Sequence, residues 1–281
     1  MKKDKSFTIF LLDDDSTGRI KCGNFNWSGV AYKIPQKLIN KDNSIQHLKY
    51  AGVYFLFGTD DEDNDVVYIG QGINRKNGEG VLCRIKEPHD KINYWHTAVI
   101  FTNKENAFGP TEISYLENKF CNMAKKSNRF IVKNVKEPNP GILTEEKQNE
   151  MDVYIDYAVV IMGILGYPVF EPLIKGNKTK EKSNILTYKF KGLTAFGMIT
   201  NEGFVVLKGS QLSNQFAARW KDKLPVEREK YKDKIKNNVL INNILFKSPS
   251  GAANFCSGHS VSGNKCWIDE KGKPLKDLLI K

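Results

Sequence analysis

The sequence predicts a mixed α/β protein of the α+β kind, with a larger N-terminal and a smaller C-terminal domain. Three observations predict it. Short β-prone runs bounded by Gly, Asn and Asp alternate with longer segments of helical spacing. At 281 residues, 40% hydrophobic and 27% charged, the chain has a globular composition and room for two medium domains. Its net charge of +11 is divided unevenly, with 21 Lys+Arg against 9 Asp+Glu in residues 173–281 and 22 against 23 in residues 1–172. The division falls at the lysine-rich stretch "IKGNKTKEKSN", so residues 1–172 form the first domain, 173–184 a linker and 185–281 a basic second domain.

In chain order, "FTIFLL" (7–12) and "SGVAYKIP" (28–35) read as strands, with "DDDSTG" as the turn after the first, and a short helical piece follows near 44–50. "GVYFLFGTDDEDNDVVYIG" (52–70) reads as a hairpin. Alternation puts Tyr54 and Leu56 on one side and Val53, Phe55 and Phe57 on the other; Val66 and Tyr68 likewise part from Val67 and Ile69. Asp60, Asp61, Glu62, Asp63 and Asp65 crowd its loop, a solvated tip remote from both tyrosines. After the glycine-rich "GQGINRKNGEG", "VLCRIKEPHD" is a short helix with Leu82 and Ile85 turned inward, ended by Pro88, and "HTAVIFT" (96–102) is a strand.

Gly109 and Pro110 then open a helix. Ile113, Leu116, Phe120, Met123 and Ala124 recur along it at the spacing of one buried face. Glu117 falls on that face or its margin, where a carboxylate is costly unless paired or coordinated. "NRFIVKN" (128–134) reads as a strand, "NVKEPNPG" as a loop, and 144–166 as a long helix whose early acids suit its N-terminal dipole. In the second domain "TYKFKGLTAFGMIT" and "GFVVLKGS" read as small-sheet strands, "NQFAARWKDKLPVEREKYKDKIK" as a broken basic helix, and "SPSGAANFCSG" as a short helix capped by Ser248.

Composition also excludes. The longest apolar stretch (157–170) falls short of the ~20 residues a membrane span needs. The opening apolar run is too short for a secretory signal and is followed by three aspartates, so a cytoplasmic protein with no membrane partner is expected. Five cysteines, an odd number without a dense framework, indicate reduced thiols. Cys256, His259 and Cys266 lack a fourth ligand and a standard zinc spacing. The basic second domain has two open readings: a polyanion clamp whose lysines release counterions from phosphates, or a solvated lysine-rich surface.

"GVY" and "YIG", followed by an arginine, a histidine, a helical glutamate and a later asparagine, resemble the GIY-YIG nuclease superfamily. Residues 1–172 as a whole resemble bacterial members whose first domain begins with an extra hairpin and ends in "LGYPVFEPL". "GFVVLKGS … FKSPSGAANFCSGHSVSGNKCW" resembles the uncharacterised domain that often follows it and is similar to modules associated with restriction and methylation enzymes. The resemblance implies a roughly three-stranded antiparallel sheet flanked by helices, one divalent metal on a glutamate, and phosphodiester hydrolysis. It assigns Tyr54 and Tyr68 as the motif tyrosines, Gly52 and Gly70 as the motif glycines, Arg84 as the helical arginine, Glu117 as the metal ligand and Asn134 as the downstream asparagine. His89 and Trp95 match closer relatives, and Arg75 is the alternative to Arg84 because the segment after Gly70 is long.

These residue types suit that chemistry. Mg²⁺ (or Mn²⁺) keeps most of its waters, so one carboxylate suffices when a phosphate completes its shell. A guanidinium fork grips nonbridging phosphate oxygens. A tyrosine of pKa ~10 serves as base only if a metal or an arginine lowers that value, and His89, with an ordinary pKa of about 6.5, is the competing acid or base. The expected function is therefore a metal-dependent endonuclease acting on nucleic acid, on DNA before RNA. The alternative is a non-catalytic nucleic-acid-binding adaptor on the same fold.

Overall fold

The computed structural model describes residues 5–73, 80–87, 92, 94–174 and 185–279. The expectations placed on Arg75, Pro88 and His89 lie outside the described residues. The chain divides into two compact units, Met1–Pro172 and Leu173–Lys281.

The first unit is built on a seven-stranded sheet. Its elements are β1 (Thr8–Leu11), β2 (Ile20–Gly23), β3 (Gly29–Pro35), β4 (Gly52–Thr59), β5 (Asp65–Gly72), α1 (Val81–Lys86), β6 (Thr97–Asn103), α2 (Pro110–Ser127), β7 (Ile131–Val132) and α3 (Glu145–Ile164). The strand order is β1-β2-β3-β6-β4-β5-β7, with only the short β5–β7 pair parallel. The sheet is thus wider than the three strands expected. Strand β2, unread in the sequence because "IKCG" has only four residues, joins the N-terminal strands to one another. Strand β3 then joins them to β6 through seven residue pairs.

Alternation sends two sets of side chains to opposite faces. Val53, Phe55, Phe57, Val67 and Ile69 meet α2 and α3 through Leu116, Phe120 and Tyr154 in the larger core. Tyr54, Leu56, Val66 and Tyr68 share the other face with Val81, Leu82 and Ile85 of α1, with Leu48 and with Trp95. Two short 3₁₀ segments, Gln36–Ser44 and Gln46–Lys49, cover part of this second face. Helix α1 docks against the latter by a bond from the Val81 amide to the Tyr50 carbonyl at 3.0 Å. Thr144 caps α3 by accepting from the Lys147 amide, as its side-chain type favours.

The second unit is a smaller α+β assembly. Strands β8 (Leu186–Phe190), β9 (Leu193–Thr200), β10 (Gly203–Val206) and β13 (Ile244–Phe246) form an antiparallel sheet in the order β13-β10-β9-β8. Between β10 and β13 lie α4 (Lys223–Glu229) and a two-residue ribbon of β11 (Ile235–Lys236) and β12 (Val239–Leu240). After them come α5 (Pro249–Ser257), α6 (Gly263–Cys266) and α7 (Leu275–Leu279). Trp267 is wholly buried against Tyr188 and Phe204, its indole donating to the Pro249 carbonyl at 2.9 Å. Ser248 caps α5 by accepting from the Gly251 amide. No helix among the described residues is long and apolar enough to cross a membrane.

Candidate functional site

The register of the β4–β5 hairpin decides which motif residues meet. Tyr54 pairs with Gly70, and Leu56 pairs with Tyr68, so the two tyrosines are diagonal neighbours on one face. Their ring centroids lie 6.2 Å apart at 44°. A Cβ on Gly70 would stand 2.5 Å from Cζ and from the hydroxyl oxygen of Tyr54. The second motif glycine is therefore a seat for the first motif tyrosine. Gly52 is constrained from the neighbouring strand, since a Cβ there would lie 2.5 Å from the Phe101 carbonyl oxygen.

Helix α2, whose Leu116 and Phe120 pack on the opposite face, meets the edge of β5. Strand β7 covers β5 only at Val66 and Val67. Beyond it the edge is met by side chains: the Asn134 amide accepts from the Ile69 N–H at 3.0 Å and donates to the Ile69 carbonyl at 2.7 Å. Ser114 of α2 donates to the Gln71 side chain at 3.3 Å. Glu117 lies three residues on from Ser114, on the same side of the helix. Asn134 thus replaces a strand partner between Tyr68 and Gly70, with both ends of its amide committed to backbone. That is a positioning role.

Tyr54, Tyr68, Arg84 and Glu117 lie close enough to set one another's protonation. Burial pushes the Tyr54 hydroxyl well above its usual range; Tyr68 adds to the rise and Arg84 opposes it. Burial raises Tyr68 too, against the pull of Arg84. Burial pushes the Glu117 carboxyl up to about 7, with Arg84 counteracting it. Arg84 loses some preference for its charge by burial, but Tyr54 and its bond to Glu87 hold it above its ordinary value. Arg84 and Glu87 form an ion pair across one helical turn, each about one-third exposed, a geometry that a phosphate could share. The buried Cys121 thiol, four residues from Glu117, is pushed up to about 12 by burial and then by the Glu117 charge.

Glu117 itself is half-buried and makes no hydrogen bond or ion pair with another described residue. Among the described residues no three His, Cys, Asp or Glu side chains converge to hold a metal ion. A divalent ion here would have one protein carboxylate, two phenol oxygens nearby and otherwise water or substrate, a hard oxygen set that fits Mg²⁺ or Mn²⁺. The half-buried, unpaired carboxylate is the observation that fits it, because a cation there would offset the burial that now favours its protonated form. Trp95, matched to closer relatives, is 8% exposed and belongs to the core on this face.

Two further features include residues outside those singled out from the sequence. The Arg84–Glu87 pair is an i,i+3 spacing on the short helix ended by Pro88, a signal that the sequence carries. The second is a cavity on the same sheet face, lined by Phe10, Lys21, Tyr32 and His47 among others, whose residues come together only through strand register.

Residues 186–279 match the family model described as "Domain of unknown function (DUF4357)", which agrees with an uncharacterised domain at the C-terminal end. No curated protein matches the chain. No solved structure matches it either.

Proposed function

We propose that the chain is a metal-dependent endonuclease of the GIY-YIG type that hydrolyses phosphodiester bonds, in DNA before RNA. One observation supports this reading above the others: Tyr54, Tyr68, Arg84 and Glu117, drawn from two strands and two helices, act electrostatically on one another around the glycine on which Tyr54 rests. Four polar groups so placed in a core face have no structural need to be there, since burying them costs free energy that apolar residues would not.

Glu117 would hold the divalent ion, which when bound would supply positive charge to the phosphodiester oxygens. The remaining roles belong to the chain. Arg84 binds nonbridging oxygens with its planar fork, exchanging part of its pairing with Glu87 for the substrate. Tyr54 and Tyr68, whose hydroxyls burial holds in the protonated form, act as hydrogen-bond donors that orient water or phosphate; neither is a base in this state. Asn134 and Gly70 fix the two rings. The second unit, with its excess of 12 positive charges, fits the task of holding the polyanion.

The test is incubation of purified full-length protein with plasmid DNA, single-stranded DNA and RNA, with and without Mg²⁺ or Mn²⁺. Metal-dependent cleavage that disappears in Glu117→Ala, with the fold intact by circular dichroism, is expected. Cleavage that persists in that variant, or in excess chelator, defeats the mechanism. Binding without cleavage under every condition favours the adaptor.

A further inference from the structure

The register carries the site's rung further across the sheet. Gly70 pairs with Tyr54, Tyr54 with Ile100, Ile100 with Tyr32, Tyr32 with Lys21 and Lys21 with Phe10. Side chains directly opposite one another in a pleated sheet point to the same face. One row therefore runs from the Tyr54 site to the edge strand, with Tyr32 two strand spacings, or about 10 Å, from Tyr54.

At the far end of this row lies a cavity of about 660 Å³, within the size range of ligand sites. Phe10 and Phe25 line it although they are 59% and 99% exposed. Lys21, Lys104 and His47 line it as well, and among the described residues the lining includes no carboxylate, in a unit where acids outnumber Lys and Arg. The three basic groups repel one another: besides burial, Lys21 and Lys104 disfavour the His47 cation, and Lys21 disfavours that of Lys104, with Glu105 outside the lining offsetting only part of it. An anion relieves that repulsion. Lys104 is held in place by donating to the carbonyls of Asn24 and Trp27, and His47 by its 2.8 Å bond with the Tyr32 hydroxyl.

We infer that this cavity holds an unpaired nucleotide of the nucleic acid, its base stacked on Phe10 and Phe25 and its phosphate against Lys21 and His47, three strand spacings or about 14 Å from the phosphate at Tyr54. The inference rests on the nuclease reading for its second half only. Exposed rings beside cations are how single-stranded nucleic acid is bound without base readout, whereas a continuous duplex keeps its bases stacked on each other. The preferred substrate is thus a strand unpaired on one side of the cut.

The test measures binding by the full chain carrying Glu117→Gln in chelator, so that residual metal-dependent cleavage does not interfere. The probes are a fluorescein-labelled DNA single strand and the duplex of the same sequence. Phe10→Ala combined with Lys21→Gln, both on the edge hairpin and away from either core, is expected to lower the ratio of single-strand to duplex affinity about tenfold. The salt slope for the single strand should fall by about 0.7 with the lost lysine. Phe25→Ala should act in the same direction. A 2-aminopurine base in the single strand should be quenched on binding to the parent protein and less so in Phe10→Ala. An unchanged ratio, or equal losses for both probes, overturns the inference. If the chain with Glu117 intact cleaves no nucleic acid while the ratio falls as expected, the nuclease reading fails and the nucleotide site stands. If it cleaves and the ratio does not move, the cavity fails and the nuclease reading stands.

Discussion

The two ends of the β4–β5 hairpin share the same strands and have opposite electrostatics. At the turn, five acids lie between Asp60 and Asp65, yet their cost is small. The Asp60 carboxylate accepts from the amides of Glu62 and Asn64 and pairs with Lys133 at 3.3 Å, and these partners outweigh its burial and hold it below its usual range. Five residue pairs away, about 17 Å along the strands, sits a site with few charges, where burial dominates the titration of Glu117, Tyr54 and Tyr68. There the Glu117 carboxyl, without a hydrogen-bond or ion-pair partner among the described residues, rises to about 7. Charge number is therefore a poor guide to electrostatic tension; solvation and pairing decide it.

The sharpest way to break this comparison is to remove the charge at the desolvated end. Glu117→Gln is expected to cut metal-dependent cleavage by about 10²–10³. The same variant reports on stability. Glu117 titrates near 7 in the folded chain against an ordinary 4.5, so its contribution is fully present below pH 4.5 and is lost as pH rises through about 7. Metal-free protein should lose up to about 3 kcal/mol of stability across that window by urea unfolding, and the glutamine variant should not. Divalent metal should reverse the loss, and its half-saturating concentration should rise about tenfold per pH unit below 7. A flat stability profile in the parent protein would mean that Glu117 is solvated and that the two ends do not differ.

Gly70→Ala is the steric counterpart. Its Cβ meets the Tyr54 ring, so a destabilisation of about 1–3 kcal/mol is expected, with loss of activity. Asn134→Leu should come next, at about 2 kcal/mol, because both polar groups of Ile69 lose their partner. Faster hydrogen exchange at the Ile69 amide would show the loss directly, and wild-type exchange there would refute it.

Tyr54→Phe keeps the ring over Gly70 and removes only a hydroxyl. It should lower kcat far more than it raises KM, and equal effects on both would reduce the tyrosine to packing. The smallest expected effect is at the turn. Neutralising Asp61, Glu62 and Asp63 together, leaving Asp60 in place, should change stability by no more than about 0.5 kcal/mol. It should strengthen nonspecific DNA binding at low salt, where unscreened acids repel phosphate. A large loss of stability on that change would show that the tip is not the solvated end.

Much of this was legible in the sequence because local rules set it. The hairpin and the sides taken by Tyr54 and Val53 follow from alternation, and α2 follows from Gly109-Pro110 and the spacing of Ile113, Leu116 and Phe120. The Ser248 cap and the burial of Leu82 and Ile85 are equally local. What the tertiary structure alone decided is register and reach. Strand β2 is too short to announce itself, yet it places Lys21 beside Tyr32 and so builds the cavity. Asn134 reads as a motif polar residue in sequence, but the premature end of β7 is what turns its amide toward Ile69. Glu117 reads as a helix-margin carboxylate, and only the packing of α2 beside β5 brings it within the field of Arg84 and the tyrosines. Periodicity fixes a side chain's direction within its own element; which elements stop short and which rungs align is settled by contacts between residues far apart in the chain.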